Sequence, residues 1–151
     1  MSLDDNKAIV RRILSEFWLR GNVQVLDELL AEDCVNHEHS NPEQKGKAAY
    51  KEWANGFQRA SKQGFPDYDV KAEDYIAEGD KVVKCWVFTG THTGEFNGIP
   101  PTGKKVIFTG TTVYRLANGK VKETRWTYDI FGMLQQMGAI PAPGRQPAGA
   151  V

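Results

Sequence analysis

Residues 105–130 read KVIFTGTTVYRLANGKVKETRWTYDI, and this stretch decides the fold class. Apolar and polar residues alternate on both sides of Asn118-Gly119, with the period of two that half-buried β-strands show. Asn-Gly suits the positive φ angles of a two-residue hairpin turn. The stretch therefore predicts two antiparallel strands, over residues 105–117 and 120–130.

The chain before this hairpin predicts helices first and a second hairpin after them. Apolar residues recur at helical spacing along residues 4–20, 22–30 and 47–62. The turn Gly79-Asp80 then joins strands predicted over 67–78 and 81–92. Helices followed by hairpin-linked strands indicate an α+β fold with a curved, mostly antiparallel sheet wrapped around three helices. We expect one domain over 1–138, a short last helix over 130–137 and a disordered tail over 139–151.

The turn at Asn118-Gly119 also predicts which side chains share a sheet face. Counting outward from a two-residue loop places Glu123, Arg125 and Asp129 on the same face as Phe108 and Tyr114. A dry core does not tolerate three charges, and a solvated face does not need the aromatic residues. We therefore expect this face to line a polar cavity.

The strand ends predict where chemistry occurs in that cavity. His92, Phe108 and Asp129 each end a strand at the side away from its hairpin, so they are expected near one mouth. A carboxylate and an imidazole at a concave mouth are suited to acid/base catalysis. The alternative is structural: Glu123 pairs with Arg125 on a hydrated face, and Asp129 caps the following helix.

Composition excludes several function classes. The 151 residues hold 19 Lys+Arg and 19 Asp+Glu, so the net charge is zero and broad electrostatic capture of nucleic acid or an anionic membrane is not expected. We see neither a membrane-spanning apolar run nor the order of a secretory signal, and we expect a cytoplasmic protein. The cysteines Cys34 and Cys85 have no C-x-x-C spacing and are expected to be buried free thiols.

A short extended segment supplies further candidate residues. Asn36 or His37 is expected to lie beside the last strand and to offer a substrate hydrogen bond. His37 and His39 form an H-x-H pair, a spacing that metal sites use, although we favour no metal here. Trp53 is expected in the core or the pocket wall. Residues 94–103 form a Gly/Pro-rich loop that is either a static loop or a lid.

Three segments resemble the SnoaL-like polyketide cyclase (ester cyclase) family. They are GTHTGEFNGIPPTGK at 90–104, NGKV at 118–121 and DIFGMLQQMG at 129–138. The resemblance extends over residues 6–138. It implies the cone-shaped α+β barrel that the family shares with nuclear transport factor 2 and ketosteroid isomerase.

The resemblance also implies an activity and an assembly. In the family's cyclases, an aspartate near the end of the last strand is the acid/base of an intramolecular aldol condensation that uses no metal or cofactor, and Asp129 matches it. Where many related sequences have Glu-His-Trp before this aspartate, this chain has Glu123-Thr124-Arg125-Trp126. The family dimerises through the outer sheet face, which our register assigns to Thr109, Thr111, Trp126 and Tyr128.

We therefore expect a cyclase, or a related isomerase or hydrolase, that acts on a hydrophobic small molecule. Two other functions remain open on the same fold. One is a non-catalytic module that binds a small molecule or an interaction partner. The other is an epoxide hydrolase, in which Arg125 and Asp129 help to activate a water molecule. The choice among the three depends on what the cavity holds.

Overall fold

Six β-strands form one sheet in the computed structural model, which describes residues 1–38 and 42–141. The strands are β1 Leu30–Glu38, β2 Gln44–Lys45, β3 Asp69–Glu78, β4 Lys81–Thr91, β5 Lys105–Ala117 and β6 Lys120–Tyr128. The helices are α1 Leu3–Arg12, which continues as a π-helical segment Ile13–Trp18, then α2 Gln24–Leu29, α3 Lys47–Gly64 and α4 Ile130–Gln136. The predicted α+β order of helices and hairpin-linked strands is confirmed.

The sheet is mixed and open. Its strand order is β2-β1-β6-β5-β4-β3, with β1 parallel to β6 and the other neighbours antiparallel. The short strand that holds Asn36 therefore flanks the last strand, as predicted. Strands β2 and β3 end the sheet within the described part of the chain, so the curved sheet does not close into a complete barrel.

The helices cover the inner face of the sheet. Ser2 begins α1 with a capping box, in which its hydroxyl accepts from the Asp5 backbone N–H and the Asp5 carboxylate accepts from the Ser2 N–H. The helix then continues as the π-helical segment, where Leu19 N–H donates to the Leu14 carbonyl five residues earlier, at 3.1 Å. The buried core includes the inward side chains of this segment, which are Ile13, Leu14, Phe17 and Trp18.

A β-bulge in β6 makes the predicted side-chain register wrong. Leu116 pairs with Val121, but the next residue of β5, Arg115, pairs with Glu123, so Lys122 is an extra residue in β6. Beyond Lys122 every side chain of β6 points to the face opposite the expected one. Thr124, Trp126 and Tyr128 face the core, whereas Glu123 and Arg125 face outward.

The bulge has a physical reason. Strict alternation from Val121 would bury Glu123 and Arg125 and expose Trp126, at a large cost in desolvated charge and unburied apolar surface. One extra residue reverses that distribution while Val121 stays in the core. The predicted gathering of charges on the cavity face is therefore wrong.

The β3–β4 hairpin contains the same irregularity. Glu73 is the extra residue, because Ala72 pairs with Trp86 while Asp74 pairs with Cys85. Beyond it the ladder is displaced by one position, and the Asp67 carboxylate accepts from both the backbone N–H and the hydroxyl of Thr91, each at 2.7 Å, rather than facing His92.

The end of the described chain is packed against α4. Ala139 N–H donates to the Leu134 carbonyl at 2.9 Å, and the Gln135 side-chain amide donates to the Pro141 carbonyl at 3.1 Å. The rest of the predicted disordered tail, residues 142–151, lies outside the described residues. Of the described helices, none combines the length and the apolar character needed to span a membrane.

Candidate functional site

Two adjoining cavities lie between the helices and the inner face of the sheet. The inner cavity is narrow, with a volume of about 40 Å³. It is lined by Leu14, Trp18, Phe57, Gln58, Ser61, Tyr68, Val70, Lys84, Trp86, Phe88, Phe108 and Trp126. The wider mouth cavity has a volume of about 540 Å³. It is lined by Glu38, Gln44, Ala49, Glu52, Trp53, Gly56, Phe57, Ala60, Phe96, Asn97, Tyr128 and Ile130.

Aromatic rings join the two cavities. Phe57 lines both, and the ring of Tyr128 at the mouth lies 6.3 Å from the ring of Phe108 in the inner cavity. All four tryptophans of the chain line one cavity or the other. Gly110 makes room for one of them, because a Cβ at this position would lie 2.2 Å from the Trp86 ring. The surface is suited to a flat hydrophobic molecule.

Glu38 supplies a buried carboxylate to the mouth cavity. It is 5% exposed and lies at the end of β1. Its Oε2 accepts from Trp53 Nε1 at 2.9 Å, and its Oε1 accepts a short hydrogen bond from the Tyr128 hydroxyl. Burial, with the Glu38 hydrogen bond second, raises the pKa of Tyr128, so the phenol stays protonated and able to donate. A carboxylate beside a neutral phenol is a base paired with an acid.

Lys84 supplies a buried amine to the inner cavity. Its side chain is 1% exposed, on the inner face of β4. The ammonium nitrogen lies 5.6 Å from the ring centroids of both Tyr114 and Trp126. Burial lowers the pKa of Lys84 to about 7.

Unpaired hydrogen-bond donors accompany this amine. Trp18 Nε1 and the Tyr114 hydroxyl are buried and have no hydrogen-bond partner among the described residues. Trp126 Nε1 is likewise buried and has no partner there. Buried donors left unpaired are costly, so they favour a bound group that carries acceptor oxygens.

Four of the predicted site residues face the inside of the fold. Phe108 lines the inner cavity and Trp53 lines the mouth. Tyr114 lies beneath Lys84 and borders neither cavity. Asn36 is fully buried, where its amide donates to Gln44 Oε1 at 2.7 Å and its carbonyl oxygen accepts from the Thr124 hydroxyl.

His92 is buried at the base of the 94–103 loop and borders neither cavity. Its Nδ1 accepts from the Thr102 backbone N–H at 3.3 Å and lies 2.9 Å from the Thr102 hydroxyl, which assigns the ring proton to Nε2. Phe96 inserts from the same loop against Phe65, with ring centroids 5.3 Å apart, and forms part of the mouth wall. His92 therefore holds a loop that shapes the mouth.

Three predicted site residues lie on the outer side of the sheet or at its edge. His37 bridges Glu43 Oε1 and Glu123 Oε1, at 2.8 and 3.1 Å. Arg125 pairs with the same Glu123 oxygen at 2.7 Å and its side chain is 63% exposed. Asp129 is exposed and begins α4, where its Oδ1 accepts from Gly132 N–H at 2.8 Å.

The charges of this outer cluster stabilise one another. Partial burial acts to raise the pKa of Glu123, but the Arg115 hydrogen bond and the nearby Arg125 outweigh it and hold the pKa below its usual value. The ion pair between Glu123 and Arg125 is thus formed on a hydrated face. The structural alternative, in which Glu123 pairs with Arg125 on a hydrated face, therefore describes these two residues. The prediction that Arg125 lines the cavity is wrong.

The outer face differs from the expected one at two positions. Thr109 and Thr111 point outward as predicted, but the bulge turns Trp126 and Tyr128 into the cavities. Other outward residues with partial burial take their place, namely Val83, Cys85, Val87 and Val113. Cys85, predicted to be buried, is therefore a half-exposed thiol, while Cys34 is buried.

Sequence reasoning missed Glu38, Lys84 and Tyr128. A signal for Lys84 existed, because Val82, Trp86 and Phe88 share its parity in β4 and mark the inner face. The inward direction of Tyr128 depends on the bulge at Lys122, which no sequence pattern predicts. Glu38 was passed over as the middle residue of the H-x-H pair.

The described residues contain no group of three or more His, Cys, Asp or Glu side chains arranged to hold a metal ion. His39, the second histidine of the H-x-H pair, lies outside the described residues.

Comparisons with known proteins agree with this geometry. A family model described as SnoaL-like polyketide cyclase matches residues 8–137. A search of curated proteins found no match.

Solved structures show the same fold. A structure from Jannaschia sp. CCS1, provisionally assigned as a SnoaL-like polyketide cyclase, is 30% identical with a TM-score of 0.78, covering 91% of this chain and 94% of that one. AclR of Streptomyces galilaeus, provisionally assigned as a hydroxylase, is 26% identical with a TM-score of 0.78, at 93% and 85% coverage. IdmH of Streptomyces antibioticus, provisionally assigned as a polyketide cyclase, is 26% identical with a TM-score of 0.73, at 88% and 98% coverage. With its helices, open curved sheet and aromatic cavities, the chain belongs to the SnoaL-like polyketide cyclase family.

Proposed function

We propose that this protein is a cofactor-independent acid/base enzyme that closes a ring by intramolecular aldol condensation. Its substrate is a hydrophobic small molecule that carries at least two carbonyl groups. The observation that carries the proposal is the buried Glu38 carboxylate, held by Tyr128 and Trp53 at the mouth of an aromatic cavity. Family membership supports the class of reaction.

The aldol step needs one group that first takes and then returns a proton. Glu38 removes the proton from a carbon beside a carbonyl, and the resulting enolate carbon attacks a second carbonyl of the same molecule. Glu38 then gives its proton to the new alkoxide, so the enzyme ends as it began. Tyr128, which remains a neutral phenol, donates a hydrogen bond to the enolate oxygen.

Two carboxylates compete for the acid/base role. Asp129 matches the family's catalytic aspartate, so the resemblance predicts that Asp129 is the acid/base group. Its position gives weaker support, because the side chain is exposed and engaged by Gly132 N–H at the start of α4. Glu38 is buried, faces the mouth cavity and already has a proton donor on it. We therefore assign the acid/base role to Glu38.

The assignment is tested with hydrogen–deuterium exchange on 2-tetralone, a flat aromatic ketone with exchangeable protons beside its carbonyl. Proton abstraction at the cavity mouth exchanges these protons in D₂O, and NMR follows the rate. We expect the wild type to exceed buffer and Glu38→Gln to lose about 100-fold or more. Asp129→Asn is the matched control, with the same carboxylate-to-amide change, and is expected to retain the rate.

Binding without catalysis is the second candidate, favoured by the narrow inner cavity. It predicts that 2-tetralone quenches tryptophan fluorescence, since all four tryptophans line the cavities, while the exchange rate stays at the buffer value. The epoxide hydrolase alternative has no geometric support. Arg125 and Asp129 are both exposed, and Arg125 is paired with Glu123.

We also propose that the protein forms a homodimer through the outer sheet face. Val83, Val87 and Val113 lie there on neighbouring strands, partly exposed and flanked by threonines. Such a face is suited to a second copy of the same sheet.

A further inference from the structure

Lys84 carries a buried amine that the proposed acid/base chemistry does not use. It lies opposite Tyr75 of β3 and Thr112 of β5, with its amine toward the rings of Tyr114 and Trp126. In the part of the chain that the structure describes, the Lys84 amine makes no hydrogen bond or ion pair with a side chain or carbonyl. It lines the inner cavity.

Among the described residues, no charged side chain pairs with this amine. Arg11 lies over the ring of the neighbouring Tyr75, 4.6 Å from its centroid. The titratable neighbours are the phenols of Tyr75 and Tyr114, and burial raises the pKa of both. They are therefore neutral at physiological pH. The helical side contributes Leu14 and Trp18, which are also uncharged. Lys84 thus has no anion to keep it protonated, and desolvation favours its neutral form.

A neutral amine in a dry cavity is a nucleophile. Burial brings the pKa of Lys84 to about 7, so about half of the molecules carry the free amine at that pH. An exposed lysine, with a pKa near 10.4, is a free amine in fewer than about one molecule in a thousand at pH 7. Depressing a lysine pKa by desolvation is how enzymes prepare it to attack carbonyl groups.

We propose that Lys84 forms an imine with an aldehyde or ketone group of the molecule that occupies the inner cavity. The Nζ lone pair attacks the carbonyl carbon, and one of the two Nζ protons passes to the carbonyl oxygen to give a carbinolamine. The hydroxyl group then leaves with the second Nζ proton as water, which leaves the C=N bond with no change in oxidation state. The proposal rests on the proposed function only in that both place a carbonyl compound in the aromatic cavities.

The unpaired donors fit this chemistry. Trp18 Nε1 lines the same cavity, and the Tyr114 hydroxyl belongs to a ring 5.6 Å from the Lys84 amine. Both lack partners within the described residues. A carbonyl or carbinolamine oxygen in that cavity supplies the acceptor that Trp18 Nε1 is missing.

Reductive trapping with benzaldehyde tests the proposal. Benzaldehyde has no proton on the carbon beside its carbonyl, so its reaction is independent of proton abstraction by Glu38. The full chain is incubated at pH 7 with benzaldehyde and sodium cyanoborohydride, which reduces an imine to a stable benzylamine, and peptide mass spectrometry locates the label. We expect Lys84 to be labelled at least tenfold faster than Lys81, an exposed lysine of the same strand.

Variants separate this proposal from the acid/base assignment. Lys84→Arg and Lys84→Met should lose the label while benzaldehyde still quenches their tryptophan fluorescence. Glu38→Gln should lose exchange on 2-tetralone and keep the label on Lys84. Labelling of Lys84 no faster than of Lys81, in wild-type protein whose fluorescence reports binding, would overturn the imine and leave the role of Glu38 intact. A label on Lys84 together with unchanged exchange in Glu38→Gln would support the imine and overturn the acid/base assignment of Glu38.

Discussion

Single residues decide what the cavities can do, and two of them are ionisable groups placed among aromatic rings. Glu38 keeps its carboxylate inside the fold because Trp53 and Tyr128 donate to it. Lys84 has no such compensation among the described residues, and its burial is a cost to stability.

Replacing Lys84 with methionine should stabilise the fold at low pH. Because the folded-state pKa of about 7 lies below the unfolded value, the wild type loses up to about 5 kcal/mol below pH 7, where the ammonium must be buried. Between about pH 7 and 10 the folded amine is already neutral while the unfolded one binds a proton, so wild-type stability rises by about 1.4 kcal/mol per pH unit.

Urea unfolding at pH 6 and pH 9 measures this difference. The advantage of Lys84→Met should be largest at pH 6 and should shrink toward pH 9, below the range where the buried tyrosines ionise. An exposed lysine, Lys81→Met, serves as the control and should show no such trend. Equal advantages at the two pH values would mean that Lys84 is not neutral in the folded protein.

At the scale of the elements, the sequence predicted the helices and hairpins well and the direction of side chains poorly. Asn118-Gly119 and the helical stripes are local signals, and the elements they mark lie within a few residues of their predicted bounds. The bulges at Glu73 and Lys122 have no such signal, since many residue types can occupy one. Because the strand period is two, each bulge reverses every side chain that lies beyond it as counted from the hairpin turn, and Tyr128 and Trp126 were placed on the wrong face.

Deleting a residue beyond the bulge should therefore be far more damaging than deleting or truncating Lys122. Without Lys122, Glu123 would follow Val121 directly, and regular alternation would still turn Trp126 inward, whereas deletion of Arg125 would turn Trp126 outward. For the Arg125 deletion we expect loss of cooperative unfolding and of the blue-shifted tryptophan emission that a buried Trp126 gives. Lys122→Ala removes only an exposed ion pair with Asp33 and should stay within about 1 kcal/mol of wild type in urea unfolding. An Arg125 deletion as stable as Lys122→Ala would show that the side chains at the end of β6 can reverse direction at no cost.

For the whole molecule, family resemblance carried more information than residue patterns. The motifs at 90–104 and 129–138 identified the family over nearly the full matched length. They did not locate the cavity side chains, because Glu38 and Lys84 become neighbours of the aromatic rings only through packing between distant parts of the chain. The proposed assembly likewise depends on the whole sheet, because Val83 and Val113 are paired on neighbouring strands and Val87 lies farther along the same outer face.

The proposed homodimer is tested by sedimentation velocity. Val87→Asp places a charge at the centre of the outer face and should shift the protein from dimer to monomer. Ser15→Asp adds the same charge at an exposed position of the π-helical segment and should leave the dimer unchanged. A wild-type protein that sediments as a monomer at micromolar concentration, or a Val87→Asp variant that remains dimeric, would contradict this interface.

The central claim is that Glu38, at the mouth of the aromatic cavity, is the acid/base group. The most direct measurement compares kcat/KM for deuterium exchange of 2-tetralone in Glu38→Gln and Asp129→Asn, with both variants first shown to unfold at the wild-type temperature. The account predicts a loss of about 100-fold or more in Glu38→Gln and less than about threefold in Asp129→Asn. The opposite order, with Asp129→Asn inactive and Glu38→Gln unimpaired, would contradict it.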